Sequence, residues 1–318
     1  MDTLKTTRIA PSPTGALHLG NARTFLANWA LARQLGWRIV LRIDDLDSPR
    51  VKAGAVEETI EVLQWLGIDW DEGPVFESNH LKDYRAALKR LGEQGLIYGC
   101  QCTRSQMAAA SLSAPHADQH ELRYPGTCRP ADLVPIDVAD LHAPDLAWRV
   151  RVADEWNEFN DEFAGSQRHH VQREVGDFLV TNKQGIASYQ LACVVDDGLA
   201  NVSYVVRGDD LLASTPRQMI LQRYLGLPPC KYWHLPLIVG ADGRRLAKRH
   251  GDTTIKSYRQ QGVSAARIRG LMAAWCGKPT LEPCSPSEFI DEFSLQRFPR
   301  NRIVFDAVHD HWLLHDNN

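Results

Sequence analysis

Residues 10–26 read APSPTGALHLGNARTFL and form a turn that leads from a short strand into a helix. Arg8 to Ala10 can close the strand, and from Asn21 onward apolar residues recur at helical spacing until Gly36. Such a turn offers backbone N–H groups at the positive end of a helix dipole. The stretch therefore predicts an anion site, although an ordinary tight turn with a surface histidine has the same pattern.

The small and rigid residues of this turn suit a bound ligand. Gly15 and Gly20 remove side chains where a flat or charged ligand must come close. Pro11 and Pro13 stiffen the approach to the helix, so that less order is imposed on binding. His18 adds a hydrogen-bond donor for a phosphate. Together these residues predict that the ligand carries phosphate.

The segments that follow predict an α/β fold with a parallel sheet. WRIVLRID at 37–44 is typical of a buried strand, and helices are expected near 56–66 and 82–95. Further runs typical of buried strands are DFLVTN, SYQLACVVDD, NVSYVVRGDD and YWHLPLIVG, between residues 177 and 240. Strands that alternate with helices indicate crossover connections in a Rossmann-like fold.

The alternation of strands and helices breaks after Tyr98, where a polar, cysteine-bearing segment begins. We interpret residues 1–98 and 176–256 as the two halves of the Rossmann-like catalytic domain. Residues 99–175 are expected to form an inserted domain that carries a metal. Residues 257–318 are expected to form a small C-terminal helical domain.

Composition limits the possible partners. The chain has 318 residues, of which 44% are hydrophobic, and its formal net charge is −3. That charge does not favour DNA as a partner, but it leaves room for a local basic patch. No apolar run approaches the roughly 18 residues of a membrane span, and the N-terminus MDTLKTT has no signal-peptide pattern. We therefore expect a cytoplasmic protein without a membrane partner, with a monomer as the default.

Three of the seven cysteines, Cys100, Cys102 and Cys128, lie close together in the sequence. Their grouping in a chain predicted to be cytoplasmic indicates a metal rather than disulfides, because Zn²⁺ is commonly held by four ligands that include thiolates. The candidates for a fourth ligand are His116, His120 and Tyr124. Chemistry alone favours a histidine, and three free thiols are the alternative to a metal site.

A second candidate phosphate element, ADGRRLAKRHGD at 241–252, is basic and follows the last predicted strand. Its cations are Arg244, Arg245, Lys248 and Arg249. By itself the element is also typical of a solvated loop. It nevertheless lies, like the first turn, near the carboxyl end of a predicted strand, where open α/β folds bind ligands. We expect the two elements to form one phosphate site.

Seven motifs together carry a resemblance. In chain order they are PSPTGALHLGNAR, LRIDDLD, GIDWDEGP, SYQLACVVDD, YVVRGDDLLASTPRQ, HLPLI and RRLAKRHG. They resemble the catalytic half of the glutamyl-tRNA synthetases, which are class I aminoacyl-tRNA synthetases, and the resemblance covers nearly the whole chain. His18 and Gly20 match the first signature of that class, and Arg245 and Lys248 match the second, although Ala247 stands where serine is usual.

The resemblance implies an activation reaction that uses ATP with Mg²⁺. A carboxylate attacks the α-phosphate, giving an acyl-adenylate and pyrophosphate, and the acyl group then moves to a hydroxyl. His18, Gly20 and Lys248 are the catalytic residues that it implies, with Arg245 as a further ATP contact. Such a reaction needs positioning and charge stabilisation rather than a covalent nucleophile.

The resemblance also implies a glutamate pocket formed by Arg8, Ser12, Asp44, Tyr189 and Arg207. The two arginines would match a carboxylate with their planar guanidinium groups. An ion pair with a neighbour such as Asp209 is the alternative for these arginines. Asp44 would face the ammonium group, where the family usually carries the longer glutamate.

Three features distinguish the chain from the full-length glutamyl-tRNA synthetases. Cys193 replaces the asparagine typical of full-length glutamyl-tRNA synthetases, so we expect weaker glutamate binding. Cys100-x-Cys102 followed by Tyr124-x-x-x-Cys128 resembles the zinc site of truncated relatives, which implies Tyr124 as the fourth ligand. Only about seventy residues follow RRLAKRHG, so we expect no anticodon-binding domain. With these features the chain resembles the glutamyl-Q tRNA(Asp) synthetase family.

That family resemblance implies activation of L-glutamate without tRNA. The glutamyl group would then pass to the queuosine base at the anticodon wobble position of tRNA(Asp), with the catalytic domain holding the anticodon stem-loop. Two alternatives stay open: a minimal glutamyl-tRNA synthetase that charges the tRNA 3′ end, and a tRNA-binding paralogue without catalysis. The presence of His18, Gly20 and Lys248 favours an enzyme.

Overall fold

A computed structural model of the protein resolves it into two compact units. The described residues are 4–13, 15–46, 51, 53–103, 105–106, 123–132, 134–136, 141, 145–244, 246 and 253–315. The first unit comprises residues 1–76, 202–212 and 231–318, and the second comprises residues 77–201 and 213–230. None of the helices in the described ranges combines the length and the hydrophobicity that a bilayer span requires.

The helices of the described residues are α1 (Leu19–Leu35), α2 (Ala55–Trp65), α3 (Leu81–Glu93), α4 (Val171–Glu174), α5 (Tyr189–Leu199), α6 (Thr215–Tyr224), α7 (Ile255–Gln260), α8 (Ala265–Trp275), α9 (Pro286–Glu292) and α10 (Ala307–His315). The strands are β1 (Thr6–Ile9), β2 (Arg38–Ile43), β3 (Glu72–Phe76), β4 (Ile97–Cys100), β5 (Ala147–Val150), β6 (Asn157–Asp161), β7 (Gly165–His169), β8 (Tyr204–Gly208), β9 (Lys231–Leu235), β10 (Ile238–Val239) and β11 (Ile303–Val304).

Parallel strands form the centre of the first unit. β2 lies between β1 and β3 and is parallel to both, and β8 and β9 form another parallel pair. The backbone N–H of Ser203, just before β8, donates to the carbonyl oxygen of Thr6 in β1 at 3.0 Å. This hydrogen bond places the β8–β9 pair beside β1, and two sets of parallel strands arranged in this way fit a Rossmann-like fold. The prediction of a parallel α/β fold is confirmed.

Helix α1 begins at Leu19, within the stretch of residues 10–26, and it ends before Gly36, as the sequence predicted. Gly36 has a φ of 65°, and its backbone N–H donates to the last carbonyl groups of the helix. Glycine adopts this left-handed conformation without a steric penalty. Leu26 and Trp29 are buried, and the helix packs against β1, α8 and α9. The predicted elements at 37–44, 56–66 and 82–95 correspond to β2, α2 and α3 within two residues at each end.

The strand expected in SYQLACVVDD (188–197) is wrong, because these residues form helix α5. Ser188 caps the helix by accepting a hydrogen bond from the backbone N–H of Leu191 at 3.4 Å. Residues 190–197 are all buried, and a short buried apolar run of this kind is equally typical of a strand and of a buried helix. DFLVTN (177–182) was also expected to be a strand, but it makes only isolated bridges through Leu179 and Thr181.

Antiparallel pairs and helices build the second unit. β4 pairs with β5 and β6 pairs with β7, both antiparallel. α3 packs against α5, where the buried carboxylate of Asp196 accepts a hydrogen bond from the Tyr84 hydroxyl at 2.8 Å. Nδ1 of His80 lies 2.8 Å from the same carboxylate. These contacts connect the helix before β4 to the helix that carries Tyr189 and Cys193.

Candidate active site and metal centre

His18 closes the turn and caps helix α1. Its Nδ1 accepts a hydrogen bond from the backbone N–H of Asn21 at 3.4 Å. Because Nδ1 accepts, the proton of the neutral ring lies on Nε2. The backbone N–H of Leu19 donates to the carbonyl oxygen of Thr253 at 3.1 Å. Two N–H groups that the sequence offered to an anion are therefore already hydrogen-bonded within the protein.

Gly20 makes room for the His18 ring. A Cβ at residue 20 would lie 3.2 Å from both Nδ1 and Cε1 of His18, and 3.6 Å from Cβ of Ile238. A Cβ at Gly15 would meet no atom within 4 Å. From the sequence, both glycines were expected to allow the close approach of a ligand. In the structure, Gly20 also leaves the space that the His18 ring occupies.

Both ends of the basic loop lie beside the His18 turn. At its start, the backbone N–H of Leu246 donates to the carbonyl oxygen of Ile238 at 3.2 Å. At its end, the backbone N–H of Ile255 donates to the carbonyl oxygen of Leu17 at 2.8 Å. Leu246 and Ile255, which flank the part of the loop outside the described residues, thus contact residues beside His18.

Arg245 and Lys248 themselves lie outside the described residues, as does Ala247. Their flanking residues bring the two predicted phosphate elements to one place, within one compact unit. Two backbone hydrogen bonds, from Ile255 to Leu17 and from Leu19 to Thr253, join groups that are more than 200 residues apart in the sequence.

Arg8 and Arg207 lie on the neighbouring strands β1 and β8, and both are buried, with 5% and 4% of their surface exposed. Nη1 of Arg8 donates to the carbonyl oxygen of Val206 at 3.5 Å. Nε of Arg207 donates to Nε2 of His234 at 2.9 Å, and its Nη2 donates to the carbonyl oxygen of Leu211 at 3.4 Å. Two guanidinium groups are therefore held in one region of the first unit.

Asp44 lies directly after β2 and forms a close ion pair with Arg42. The Arg42 Nε donates to Oδ1 of Asp44 at 2.7 Å, and its Nη2 donates to Oδ2 at 3.3 Å. The Arg42 side chain is 3% exposed and that of Asp44 is 14% exposed. Any ammonium group at Asp44 must therefore share this carboxylate with Arg42. Asp209, the alternative partner considered for the pocket arginines, forms an ion pair with Arg302 at 3.1 Å.

The other predicted pocket residues lie in different environments. Ser12 is exposed in the first unit. Tyr189 begins α5 in the second unit and is 40% exposed. Cys193 lies one helical turn further on and is buried, and its thiol donates to Oδ2 of Asp197 at 3.7 Å. The thiol at this departure from the family pattern thus contacts a carboxylate of its own helix.

The three cysteines predicted to bind a metal converge in the second unit. The sulfur atoms of Cys100, Cys102 and Cys128 all lie within 4.8 Å of one another. The Cys102 and Cys128 sulfurs are 3.5 Å apart, and the Cys100 sulfur is 3.6 Å from the hydroxyl oxygen of Tyr124. Among the described residues, this is the only group of histidine, cysteine and acidic side chains arranged to hold a metal ion.

These distances fit the tetrahedral ligand set that the sequence implied. With Zn–S bonds of about 2.3 Å and a Zn–O bond of about 2.1 Å, the edges of the tetrahedron are about 3.8 Å between sulfurs and about 3.6 Å between sulfur and oxygen. The separations between Cys102 and Cys128, at 3.5 Å, and between Cys100 and Tyr124, at 3.6 Å, are close to these values. His116 and His120 lie outside the described residues.

A buried arginine neutralises this centre. The Arg149 guanidinium lies 3.7 Å from the centroid of the Tyr124 ring, and it donates to the carbonyl oxygen of Asp177 at 2.6 Å. Burial opposes ionisation of the Cys100 thiol, but hydrogen bonds from Arg149 and the Cys102 backbone outweigh it and lower the Cys100 pKa to about 7. Cys100 is thus prepared for the thiolate form that a metal requires.

The backbone holds Tyr124 in place. Its N–H donates to the carbonyl oxygen of Val175 at 2.8 Å, and its hydroxyl oxygen accepts from the backbone N–H of Cys128 at 2.8 Å. Gly176 has a φ of 77°, and a Cβ there would collide with the carbonyl oxygen of Tyr124. Burial, together with hydrogen bonds to the neighbouring thiols, raises the pKa of Tyr124. A metal would therefore have to displace the phenolic proton.

Three side chains that contact these sites were not expected from the sequence, namely Arg42, Arg149 and His234. Arg42 carried a signal, because it lies two residues before Asp44 on the same face of a strand. His234 lies in HLPLI, a motif that was used only for the resemblance. Arg149 lies in LAWRVRV, where nothing in the sequence points to the cysteines.

Comparisons with known families cover almost the whole chain. The family profile described as "tRNA synthetases class I (E and Q), catalytic domain" matches residues 5–307. A protein of Symbiobacterium thermophilum named glutamyl-Q tRNA(Asp) synthetase is 45% identical over 94% of this chain and 95% of its own length. Its namesake in Rhodopirellula baltica is 41% identical over 94% of this chain and 96% of its own length.

Solved structures agree with the fold. The crystal structure of a glutamate-tRNA synthetase from Elizabethkingia anophelis has a TM-score of 0.81 and 24% sequence identity, covering 98% of this chain and 70% of that one. A glutamate tRNA ligase from Elizabethkingia meningosepticum, solved in complex with its amino acid, gives the same TM-score of 0.81 over 98% of this chain and 69% of that chain. At such identity the likeness concerns the Rossmann-like α/β fold alone.

Proposed function

Because the chain belongs to the glutamyl-Q tRNA(Asp) synthetase family of the class I tRNA synthetases, we propose that it activates L-glutamate with ATP and transfers the glutamyl group to queuosine in tRNA(Asp). The chain is an enzyme, a ligase of the synthetase type. The observation that carries the proposed chemistry is the meeting of the two phosphate elements beside His18.

In the first step, the α-carboxylate oxygen of glutamate attacks the α-phosphorus of ATP. The bond to the bridging oxygen breaks, and glutamyl-adenylate and pyrophosphate form. His18 is the proposed donor to the phosphates, from the Nε2 proton that the cap contact of Nδ1 implies. Lys248 and Arg245 would balance the charge on the pyrophosphate, and Mg²⁺ would enter with the ATP.

Glutamate recognition in this proposal rests on opposite charges. Arg8 and Arg207 would bind the side-chain carboxylate, and Asp44 would face the ammonium group. The burial of both guanidinium groups supports this role, since a desolvated arginine binds a carboxylate more strongly than it binds a neutral amide. Ser12 and Tyr189 are proposed pocket residues from their motif positions alone.

In the second step, a hydroxyl group of the queuosine base attacks the carbonyl carbon of the adenylate. AMP leaves, the hydroxyl loses its proton, and an ester forms. We propose that the preceding activation step proceeds without tRNA. We also propose that the reaction takes place in the cytoplasm, where the tRNA substrate is found. A monomer without a DNA partner is sufficient for it.

We also propose that one structural Zn²⁺ is held by Cys100, Cys102, Tyr124 and Cys128. Bound there, zinc would stabilise the local fold of residues 99–175, the proposed inserted domain between the catalytic halves 1–98 and 176–256. The distances between the ligand atoms support this ligand set. Residues 257–318 are proposed as a helical C-terminal domain.

Exchange of labelled pyrophosphate into ATP tests the activation step. The proposal expects exchange that depends on L-glutamate and proceeds without tRNA. Lys248→Ala and His18→Ala variants serve as controls for the site, and each should lower the exchange rate by at least about a hundredfold. If folded protein with an intact active site gives no pyrophosphate exchange, the result favours the alternative of a tRNA-binding paralogue without catalysis.

Charging of tRNA with labelled glutamate tests the acceptor. tRNA(Asp) that contains queuosine should accept the label, whereas queuosine-free tRNA(Asp) and tRNA(Glu) should not. Fragmentation of the charged tRNA by a nuclease separates the two possible acceptor positions, because label on queuosine stays with the anticodon fragment and label on the terminal ribose stays with the 3′ fragment. Label in the 3′ fragment of tRNA(Glu) would indicate the minimal glutamyl-tRNA synthetase instead.

A further inference from the structure

His234 lies directly beside Arg207 in the sheet. The two residues are register partners of the parallel strands β8 and β9. The Nε–H group of Arg207 donates to Nε2 of His234 over 2.9 Å. Both residues are buried, with 4% of Arg207 and 1% of His234 exposed. A hydrogen bond between two side chains so far from solvent is difficult to replace with water.

This contact determines the protonation state of His234. A guanidinium group has only donors, so Nε2 of His234 must supply the lone pair. The imidazole is therefore neutral, with its proton on Nδ1. A protonated ring would place a second cation against Arg207 in a buried position, where two like charges repel strongly.

The surroundings keep both partners in one orientation. The ring of Tyr232 is stacked with that of His234 at a centroid distance of 6.0 Å and an angle of 15°. The Arg207 guanidinium lies 5.6 Å from the centroid of the same Tyr232 ring. Nη2 of Arg207 also donates to the carbonyl oxygen of Leu211 at 3.4 Å. The Nε side of the guanidinium is therefore committed to His234, and a carboxylate must approach its terminal nitrogens.

We propose that His234 is a positioning residue that orients the Arg207 guanidinium for the side-chain carboxylate of glutamate. The inference rests on the proposed function, since it assumes that Arg207 contacts that carboxylate. A guanidinium held through its Nε presents its two terminal nitrogens in one plane, which suits two-pronged binding of a carboxylate. Without the lone pair of His234 the guanidinium turns, and glutamate loses its advantage over glutamine.

The experiment is pyrophosphate exchange with three variants of the full-length enzyme. His234→Leu removes the acceptor, and His234→Gln keeps an amide oxygen near the position of Nε2. Trp233→Phe is the matched control, because this neighbour on β9 points to the other face and packs against Trp37 and Tyr204. The KM for glutamate, the KM for ATP, kcat and the glutamate-to-glutamine preference are measured for each.

His234→Leu should raise the KM for glutamate about tenfold to a hundredfold, with the KM for ATP and kcat within about threefold of wild type. The preference for glutamate over glutamine should fall in the same variant. His234→Gln should restore most of the glutamate affinity and of this preference, and Trp233→Phe should change neither the KM for glutamate nor the preference. If His234→Leu does not fold by circular dichroism, His234→Asn replaces it, because its amide is too short to reach Arg207, and the same rise is expected.

An unchanged KM for glutamate in a folded His234→Leu or His234→Asn variant overturns the inference. So does a folded His234→Gln variant that is as impaired as His234→Leu, because shape rather than the acceptor would then matter. Absence of glutamate-dependent exchange in the wild-type enzyme is a different result. It overturns the proposed function, and the inference with it.

Discussion

The His18 imidazole occupies the space that a side chain at Gly20 would need, with Nδ1 and Cε1 each 3.2 Å from the position of that Cβ. The ring is held there by the hydrogen bond that Nδ1 accepts from the start of helix α1. The histidine and the glycine of the first signature therefore form one steric unit. This explains in physical terms why the two residue types occur at this spacing.

Replacement of Gly20 by alanine should impair activation while leaving the fold intact. The new methyl group would push the His18 ring away from its cap position, so we expect pyrophosphate exchange to fall by at least about tenfold. Gly15→Ala is the matched comparison, because its Cβ meets no atom within 4 Å, and it should stay within about threefold of wild type. Equal losses in both variants would mean that ligand approach, rather than the histidine ring, limits this turn.

Arg42→Met should lower the free energy of unfolding by about 3 kcal/mol, because it leaves the Asp44 carboxylate without its buried cation. The change is measured by urea unfolding. Arg38→Met on the same strand is a control. Arg38 pairs with Glu72 at 2.8 Å in a more exposed setting and should cost less than about 1 kcal/mol. The double variant Arg42→Met with Asp44→Asn should lose less than the sum of the single changes. Strict additivity would speak against the pair.

The purified enzyme should contain one zinc ion per chain, measured by inductively coupled plasma mass spectrometry. Cys102→Ser and Cys128→Ser should lose it, and Tyr124→Phe should weaken zinc affinity by at least about tenfold. His116→Ala and His120→Ala test the ligands that chemistry alone preferred, and both should retain the metal. Retention by Tyr124→Phe with loss in a histidine variant would identify that histidine as the fourth ligand.

Cys276 should resist alkylation in the native enzyme. Burial raises its pKa to about 11, although the nearby Arg23 guanidinium opposes the shift. At pH 8 only about one thiol in a thousand would be ionised, and the thiolate is the reactive form. Mass spectrometry after brief iodoacetamide treatment should show the half-buried Cys230 modified before Cys276. The reverse order would disprove the burial argument.

The same shift predicts how stability changes in alkali. An unfolded thiol ionises near its ordinary pKa of 9.0, whereas the folded thiol ionises near 11. A raised folded pKa contributes stability that is complete below pH 9 and is lost as the pH rises toward 11. Cys276→Ala should therefore flatten the alkaline fall in melting temperature over this interval. An unchanged slope would show that other groups cause the fall.

Local signals in the sequence predicted the elements that position the first signature. Gly36 ended α1 as expected, and the alternating strands and helices up to α3 followed from periodicity. Helix α5 was missed because its short run of buried, partly β-branched residues is equally typical of a strand. The error concerns the helix that carries Tyr189 and Cys193, so these two residues lie in a different local structure from the one expected.

The side chains that support the site depend on long-range contacts that the sequence does not display. Arg207 and His234 meet only because β8 and β9 pair in one particular register. Arg149 reaches Cys100 and Tyr124 through the pairing of β4 with β5. A one-residue shift in either register would turn these side chains to the opposite face of the strands. Spacing along the chain could therefore predict the ligands, but not the residues that orient them.

The hydrogen bond between Ile255 and Leu17 has a consequence for synthesis of the enzyme. Leu17 emerges from the ribosome about 238 residues before Ile255, and at about 5 to 20 residues per second that interval lasts about 12 to 48 s. Throughout this time a nascent chain carries the His18 turn without the hydrogen bond that joins it to the segment after the basic loop. The growing polypeptide therefore cannot complete the proposed nucleotide site, and glutamate activation at that site would begin only after most of the chain has been translated.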